Sequence, residues 1–528
     1  MKVFFKVLVA AGLTAAATSC KSYLDINTNP NSPTAATPDA ILAQALTATA
    51  ANYTGNNPSF NSYASWAADY WAKSGIVNGY IEERTYNYTT QYYSGLFDNT
   101  YHNLNDYNLI QSTGATTGFP YHAAIARIMK VYNYQLLVDE YGDIPYSTSV
   151  QGLNNLSPTY DKAATIYKDF IVQLDGAIAD IKAANKNPAA TSVGAEDVVF
   201  GGNMTKWIQF ANSMKLRVLL RQSQSSDASL TAYVQTQMTA LQQSAAVDGF
   251  ITTDVLVQPG YSQSAGKQNP FYNRYGKTPS GSNATERSYQ IPTSYIISQY
   301  HDNKDPRLSQ LYTIGSKIVG KDTIAAYIGT TAGETSPPLF TYPIIASRFL
   351  FGGGILKGYN APTALMLLAE QDFSKAEAET RNLFTGGDAA AKMDYLQGIQ
   401  DSFNYFYRPA TSGAISTGNG LNQYKTYIST NAGNPLVDYD AATPSGSLGK
   451  QSVIIYQKYL AMNSIASTEA WDDYRRTGQP KIMASLESTS PRPDKLPARL
   501  LYPISEVSSN VANIPTGVNQ FTPIFWAN

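Results

Sequence analysis

The chain has 528 residues with 38 Lys+Arg against 39 Asp+Glu, a net charge of −1, three His and one Cys. That length allows roughly three to four domains, or one large one with an ample core, and the near-neutral charge leaves no broad basic field for nucleic acid. One Cys excludes an intramolecular disulfide framework and any multi-Cys zinc or iron–sulfur site, and His102, His122 and His301 are too scattered for a local metal-binding pair.

Met1 to Ser19 reads as a processing signal. Lys2 and Lys6 form a short positive region, and Val7–Ala17 is an 11-residue apolar and small-residue stretch. Spanning the ~30 Å of a bilayer's hydrocarbon needs about 20 residues, so this segment is too short. It ends in Ala17-Thr18-Ser19-Cys20, with small residues directly before the chain's only Cys. That is the pattern of a bacterial lipobox, in which the Cys20 thiol takes up diacylglycerol. The expectation is a body anchored to a membrane by lipid chains and not crossing it. Lys21–Pro38, with three Pro and three Asn, reads as a polar tether. Asp25-x-Asn27-x-Asn29 imitates the start of an EF-hand loop, but Pro30 stands where Gly is required and Ala36 where Glu is required, which excludes that calcium site.

From Pro38 the patterns are mostly helical. Runs are expected over about Pro38–Tyr53, Ser62–Lys73, Thr90–Ile110, Tyr121–Tyr141 and Asp161–Ala184. In the last, Tyr167, Ile171, Leu174, Ile178 and Ile181 form a one-sided apolar stripe. Met204–Gln222 and Leu230–Gln243 continue the series. Residues 250–350 are rich in Gly, Pro, Ser, Thr and Tyr, with short β-like pieces such as Ile251–Val257. Helices resume at Pro362–Leu383, Met393–Tyr407, Gln451–Asn463 and Ser467–Arg476, and a Pro-rich C-terminal stretch reads as a surface wrap. Consecutive helix pairs predict a mainly α fold, a tetratricopeptide-like scaffold of helical hairpins with few short strands. Trp207-x2-Phe210 and Ala369-x3-Phe373 look like fragments of that repeat, without a strict 34-residue period. The expected organisation is a signal at 1–19, a lipidated tether at 20–38, and one helical body at 39–528 with loop-rich insertions at about 250–350.

Eight segments in order carry a resemblance to a known family. They are Cys20 with Tyr23–Asn31 (YLDINTNPN), Leu137–Tyr146 (LVDEYGDIPY), Pro158–Asp161 before the Ile166-Tyr167 helix, and Trp207–Arg217 (WIQFANSMKLR). Asp305–Leu308 (DPRL), Met366–Glu370 with Ala376–Ala378, Glu469–Gly478 (EAWDDYRRTG) and Pro497–Pro503 (PARLLYP) complete the set. Together they resemble the SusD/RagB family of nutrient-binding outer-membrane lipoproteins, in its SusD-like branch. The resemblance implies a helical scaffold under a loop-rich ligand-binding face, on the outer face of the outer membrane of Bacteroidota. It also implies a partner, a TonB-dependent, SusC-like transporter to which captured glycan or peptide is delivered.

Most of these segments read physically as structure. Gly142 suits an αL cap after a long helix, and Ile144-Pro145 then demands extended backbone. Asp472 or Asp473 is spaced to pair with Arg475 or Arg476, and Trp207 and Trp471 read as core.

The sequence carries no complete catalytic motif of the nucleotide-binding or serine-hydrolase kind. Gly315–Lys321 satisfies the first part of a P-loop, but Asp322 follows where a Ser/Thr hydroxyl should hold magnesium. No G-x-S-x-G elbow occurs. No cofactor and no metal is expected, and the chain reads as a binding protein and not an enzyme. Two alternatives are a surface lipoprotein glycosidase, which needs two carboxylates ~5–10 Å apart, and an assembly or adhesion lipoprotein without a ligand site.

The ligand candidates are aromatic. Between Phe60 and Tyr93 stand ten Phe, Tyr and Trp, interleaved with Asn61, Asn78, Arg84, Asn87 and Gln91. Sugar rings stack their C–H faces on aromatic rings while amides and guanidinium groups bond the hydroxyls; a peptide can use the same surface. Tyr63, Tyr70, Tyr92 and Tyr93 suit a helix-face core. Trp66, Trp71, Asn78, Tyr80, Arg84, Tyr86 and Tyr88 are the candidates, the last five on a loop expected at 74–89. The long polar-aromatic insertion Pro259–Arg287 supplies Tyr261, Asn269, Phe271, Tyr272 and Tyr275.

Overall fold

The computed structural model describes residues 36–409, 420–442 and 449–527. Cys20, the tether and the EF-hand-like string lie outside the described residues.

In chain order, the helices are α1 (Pro38–Tyr53), α2 (Phe60–Ala67), α3 (Ile81–Thr85), α4 (Gly95–Gly114), α5 (Pro120–Tyr141), α6 (Ala163–Ala184), α7 (Met204–Gln222), α8 (Ala228–Asp248) and α9 (Pro270–Tyr275). There follow α10 (Ser294–Asp302), α11 (Leu308–Leu311), α12 (Leu368–Thr380), α13 (Gly387–Tyr407), α14 (Leu421–Thr430), α15 (Lys450–Met462), α16 (Ser467–Thr477) and α17 (Ile504–Ser509). The strands are short: β1 (Trp71–Lys73), β2 (Ile144–Pro145), β3 (Tyr160–Asp161), β4 (Val255–Val257), β5 (Gln290–Pro292), β6 (Gly315–Val319), β7 (Asp322–Ala326), β8 (Phe340–Thr341), β9 (Ile344–Ile345) and β10 (Thr363–Met366).

The expected mainly α hairpin scaffold is present. Helix α4 packs on α5, α5 on α6, α6 on α7 and α7 on α8, while α12 packs on α13 and α15, and α16 on α2. Pro38 and Pro120 sit at the first turns of α1 and α5, where a missing N–H costs nothing. The stripe on α6 is buried as its period requires.

Three expectations shift locally. The run expected at Ser62–Lys73 divides, because Asp69 takes a positive φ of 58° and turns the chain into β1. The run expected at Pro362–Leu383 opens as strand β10, antiparallel to β4, before α12 begins. All four β10 side chains are buried, and a continuous apolar run does not distinguish a buried strand from a buried helix. Gly142 has φ 76° and ψ −121°, outside αL, and its N–H bonds Val138 O at 2.8 Å. The P-loop-like string is a hairpin: β6 and β7 pair antiparallel, with Val319 opposite Asp322 across Gly320 and Lys321.

Residues from four of the family-resembling segments meet in one buried charge network. Arg217 of α7 grips Glu370 of α12 through two bonds of 2.7 and 2.9 Å. One turn on, Arg221 bonds Glu469 of α16 at 2.7 Å and pairs with Asp472. Arg475 reaches Glu140 of α5 at 3.1 Å and its own helix's Asp472, and donates to Ala498 O at 2.9 Å. Arg476 bonds Glu377 at 2.8 Å and Asp473 at 2.9 Å, and Lys458 of α15 also pairs with Asp473 at 2.9 Å. Trp207 and Trp471 are core, as their helix positions imply. A separate buried pair closes Asp305 on Arg307, whose guanidinium also bonds Ser402 at 2.8 Å.

Several buried acids are raised by desolvation. Asp69, bonded by the Met483 N–H at 3.1 Å, is pushed up to about 8 by burial, and Glu83 to about 7. Glu140 is raised by the same cause. Asp473 is held low because Lys458, Arg476 and Arg221 outweigh its desolvation. A raised carboxyl keeps its proton in the folded chain at a pH where the unfolded chain, near its ordinary ~4, has lost it. The raised groups therefore add stability that falls away as pH rises from about 4 toward about 8, whereas that of Asp473 is lost only in stronger acid. The expected outcome is a higher melting temperature near about pH 5.5 than near about pH 8.5. Asp69→Asn, which mimics the protonated acid, should shrink that difference. Calorimetric scans across this range check it, and a melting temperature that climbs with pH contradicts it.

Candidate functional site

The N-terminal aromatics come first in the chain. Ser59 caps α2 reciprocally with Ser62, and after the turn at Asp69, β1 pairs antiparallel with β5, Trp71 opposite Pro292. This seats Trp71 inside. Its indole donates to Ser464 Oγ at 2.8 Å, and its ring meets Tyr275 at 5.0 Å, Phe349 at 5.8 Å and Phe271 at 6.3 Å. Trp66 is buried beneath Tyr80, their ring centres 4.7 Å apart. Tyr86 accepts from the Ser485 N–H at 3.1 Å, and Tyr88 stacks on Tyr92 at 4.4 Å.

Trp66, Trp71, Tyr86, Tyr88, Phe271 and Tyr275 are therefore buried, which corrects their reading as ligand platforms: none has a free ring face to stack on a sugar. The physical reason is that 74–89 is not an open loop. It contains α3, flanked by Tyr80 and Tyr86 at positive φ of 60° and 56°. The C-terminal wrap covers it, with the Thr489 N–H bonding Thr85 O at 2.9 Å. Arg84 is engaged by Glu487 of the same wrap. Tyr80, half-buried, donates to Glu286 Oε2 at 2.8 Å and accepts from Gln290 Nε2 at 2.7 Å. Asn78 is exposed but lies outside the cleft described next.

The insertion behaves differently. Asn269 caps α9, accepting from the Tyr272 N–H at 2.9 Å, and its amide donates to Ala361 O at 2.9 Å and Thr363 Oγ1 at 3.1 Å. It is buried, so its role is to tie the insertion to the 359–363 segment. Gly55 allows Pro270 to lie against the α1–α2 turn, since a Cβ there would fall 2.3 Å from Pro270. Tyr272 faces outward, its ring 6.4 Å from Tyr359 and 6.5 Å from Phe351. Phe351 is exposed, with the Arg287 guanidinium 3.7 Å above its ring and Lys277 at 5.0 Å.

Beside this ridge lies a cleft of ≈ 500 Å³. Half-buried Tyr261, its hydroxyl 3.3 Å from Thr363 Oγ1, forms one wall. Gln258 holds that wall, accepting from the Gly260 and Tyr261 N–H groups and donating to Asn360 O at 2.9 Å. Phe200 and Lys206 also line the cleft. The turn bearing Phe200 is shaped by buried Asp197, which accepts from the Phe200 N–H at 3.0 Å and the Trp207 indole at 2.8 Å. Also in the lining, Arg408 bonds Asp254 at 2.9 Å, and Asp254 accepts from the Leu368 N–H at 2.8 Å, at the start of α12. Burial raises the Asp254 carboxyl, and Arg408 opposes the rise.

Asp254 is the one carboxylate lining the cleft, and both its oxygens are engaged. The arrangement offers aromatic faces, an ammonium and amides to a polar ligand. Among the described residues no group of three His, Cys, Asp or Glu converges to hold a metal ion. Of the sequence candidates, only Tyr261 and Tyr272 stand at this surface. Sequence reasoning missed Phe200, Lys206, Phe351, Tyr359, Asn360 and Arg408, which come from distant segments; the Gly-rich 352–354 and Tyr359–Pro362 were the only local signal.

A family model described as "Starch-binding associating with outer membrane", SusD-like, matches residues 30–503. The chain belongs to the SusD-like family. Solved structures share its fold. A chitin-binding protein superposes with a TM-score of 0.70 at 23% identity, covering 92% of this chain and 100% of its own. A SusD homologue from Bacteroides uniformis gives 0.70 at 24%, over 92% and 99%. A chitin-binding SusD homologue from Flavobacterium johnsoniae gives 0.69 at 20%, over 92% and 98%. No curated protein matches this chain in sequence. The SusD-like fold accords with the helical scaffold described above.

The burial divides the aromatics into two mutational classes. Trp71→Ala and Tyr86→Ala should each cost about 3–5 kcal/mol of stability, the usual loss on truncating a buried aromatic. Tyr272→Ala should cost less than about 1 kcal/mol. Denaturant titration of the three variants measures this, and equal losses would contradict the division.

Proposed function

We propose that this chain is a surface-exposed outer-membrane lipoprotein that binds oligomeric glycan in the 198–261/360–408 cleft and along the adjoining Tyr272–Phe351–Tyr359 ridge, and delivers it to a TonB-dependent, SusC-like transporter. Residues 1–19 serve as the lipoprotein signal, Cys20 as the lipid anchor, and 20–38 as the tether of a helical body. The observation that carries the binding reading is the cleft itself, whose lining combines the aromatic rings of Tyr261 and Phe200 with the polar groups of Lys206 and Asn360. Sugar rings stack on the former and hydrogen-bond the latter. Membership of a family described as starch-binding, and two chitin-binding proteins of the same fold, support a glycan over a peptide. The engagement of Asp254 by Arg408 favours binding over hydrolysis, because a glycosidase needs two carboxylates flanking the bond. No helix of the described residues is long and apolar enough to cross a membrane, which accords with attachment through Cys20.

A glycan and peptide array on the purified mature protein identifies the ligand class. Tyr261→Ala and Tyr359→Ala should each weaken binding of the best oligosaccharide by about 1–3 kcal/mol, roughly 5- to 150-fold, with melting nearly unchanged. Calorimetric titration reads this, and undiminished affinity in both variants would place the ligand elsewhere.

Anchoring has its own test. Cys20→Ser should abolish incorporation of labelled palmitate and release the protein from the outer membrane. Normal lipidation of that variant refutes the anchor.

A further inference from the structure

Away from the cleft, helices α4, α5 and α6 and the 146–151 loop enclose a polar cavity of ≈ 310 Å³. Lys130 of α5 points into it. This half-buried ammonium bonds Asn108 Oδ1 at 3.0 Å, and among the described residues no carboxylate lies within ion-pair distance of it. Burial, with Arg127 one turn away, lowers its pKa to about 8, as expected of an ammonium without a counter-ion. Asp169 of α6 lines the same cavity. Its Oδ2 accepts from Tyr146 at 2.5 Å and from Gln173 at 3.0 Å, while among the described residues no donor reaches Oδ1 and no cation pairs with it.

Opposite charges sharing a small cavity ordinarily close on one another. Here each is held back by a built support. Asn108, which holds Lys130, is itself tied to Val150 O at 3.1 Å. Gln173, which holds Asp169, accepts from Arg127 Nε at 2.8 Å, and Arg127 is clasped by Asp180 at 2.9 Å. The Arg127 guanidinium crosses α6 at Gly176, where any Cβ would fall within 2.2 Å of it. A mid-helix glycine costs about 1 kcal/mol relative to alanine, and here it makes room for that support.

We propose that this cavity is a second ligand site, taking one neutral, polyhydroxylated ring of hexopyranose size, with Lys130 donating to one hydroxyl and Asp169 accepting from another. An anion in this cavity would face Asp169, and a cation would face Lys130 and Arg127. A vicinal diol satisfies both walls, since each hydroxyl donates and accepts. The volume lies at the lower end of the ligand-pocket range of about 300–1,000 Å³, which suits a single ring and not a chain. The site stands apart from the cleft of the proposed function and does not depend on it.

The test is saturation-transfer NMR on the full mature protein with glucose, galactose, mannose and N-acetylglucosamine as separate probes. At least one hexose should receive saturation, and Lys130→Met and Asp169→Asn should each weaken its binding about tenfold or more while Tyr261→Ala leaves it intact. Gln111→Ala, at a half-buried residue lining the cavity, should weaken it too and serves if either charge variant fails to fold. Absence of signal from all four hexoses overturns the proposal. So does a signal that survives the folded wall variants, or one that disappears in Tyr261→Ala alone, which would assign it to the cleft. Loss of oligosaccharide binding in Tyr261→Ala bears on the cleft only, so the two sites stand or fall separately.

Discussion

Everything in this fold hangs on a layer of buried charge. Arg217, Arg221, Arg475 and Arg476 lie almost wholly out of water, facing Asp139, Glu140, Glu370, Glu377, Glu469, Asp472 and Asp473. Desolvating each ion costs several kcal/mol, and that cost is offset only when geometry and further hydrogen bonds are good. Removing one partner strands another and typically costs about 3–5 kcal/mol. Such a layer permits few alternative packings, because the carboxylates of α5, α12 and α16 must all meet their guanidinium partners at once. The Trp526 ring, 5.0 Å from Arg475 and 5.4 Å from Arg221, seals it from the C-terminal end.

Four of the family-resembling segments supply that layer. Leu137–Tyr146 supplies Glu140, Trp207–Arg217 supplies Arg217, Met366–Glu370 supplies Glu370, and Glu469–Gly478 supplies two arginines and three acids. Their chemistry is structural. Tyrosine plays a related part: Tyr70, Tyr132 and Tyr300 are buried rings whose hydroxyls donate to the backbone oxygens of Tyr459, Leu365 and Leu460. A ring that packs like Phe and still satisfies a buried carbonyl lets a chain poor in charge join distant segments.

A scaffold so tied leaves its connections free to specialise. The insertion between β4 and β5 is pinned at Asn269 and at the adjacent Gly55–Pro270 contact, and on either side of this point Tyr261 and Tyr272 reach the surface. The ligand face is thus built from irregular backbone held at both ends by regular structure, which is the usual placing of binding residues.

Most helix positions were legible in the sequence: α1 and α7 have the bounds that Pro38, the apolar period and the polar flanks imply. The 3.6-residue period and the caps are local properties, as are the lipobox-like small residues before Cys20 and the charge spacing within α16. The candidate site was legible only at Tyr261 and Tyr272. Aromatic density pointed equally to Trp71, Tyr86 and Tyr275, which the structure buries, because a ring suited to a sugar face is equally suited to a core. Which rings are buried was decided by contacts hundreds of residues away: Ser464 on the Trp71 indole and Ser485 on Tyr86. Local periodicity determines how a segment folds against water; only the meeting of distant segments determines which of its faces the water keeps.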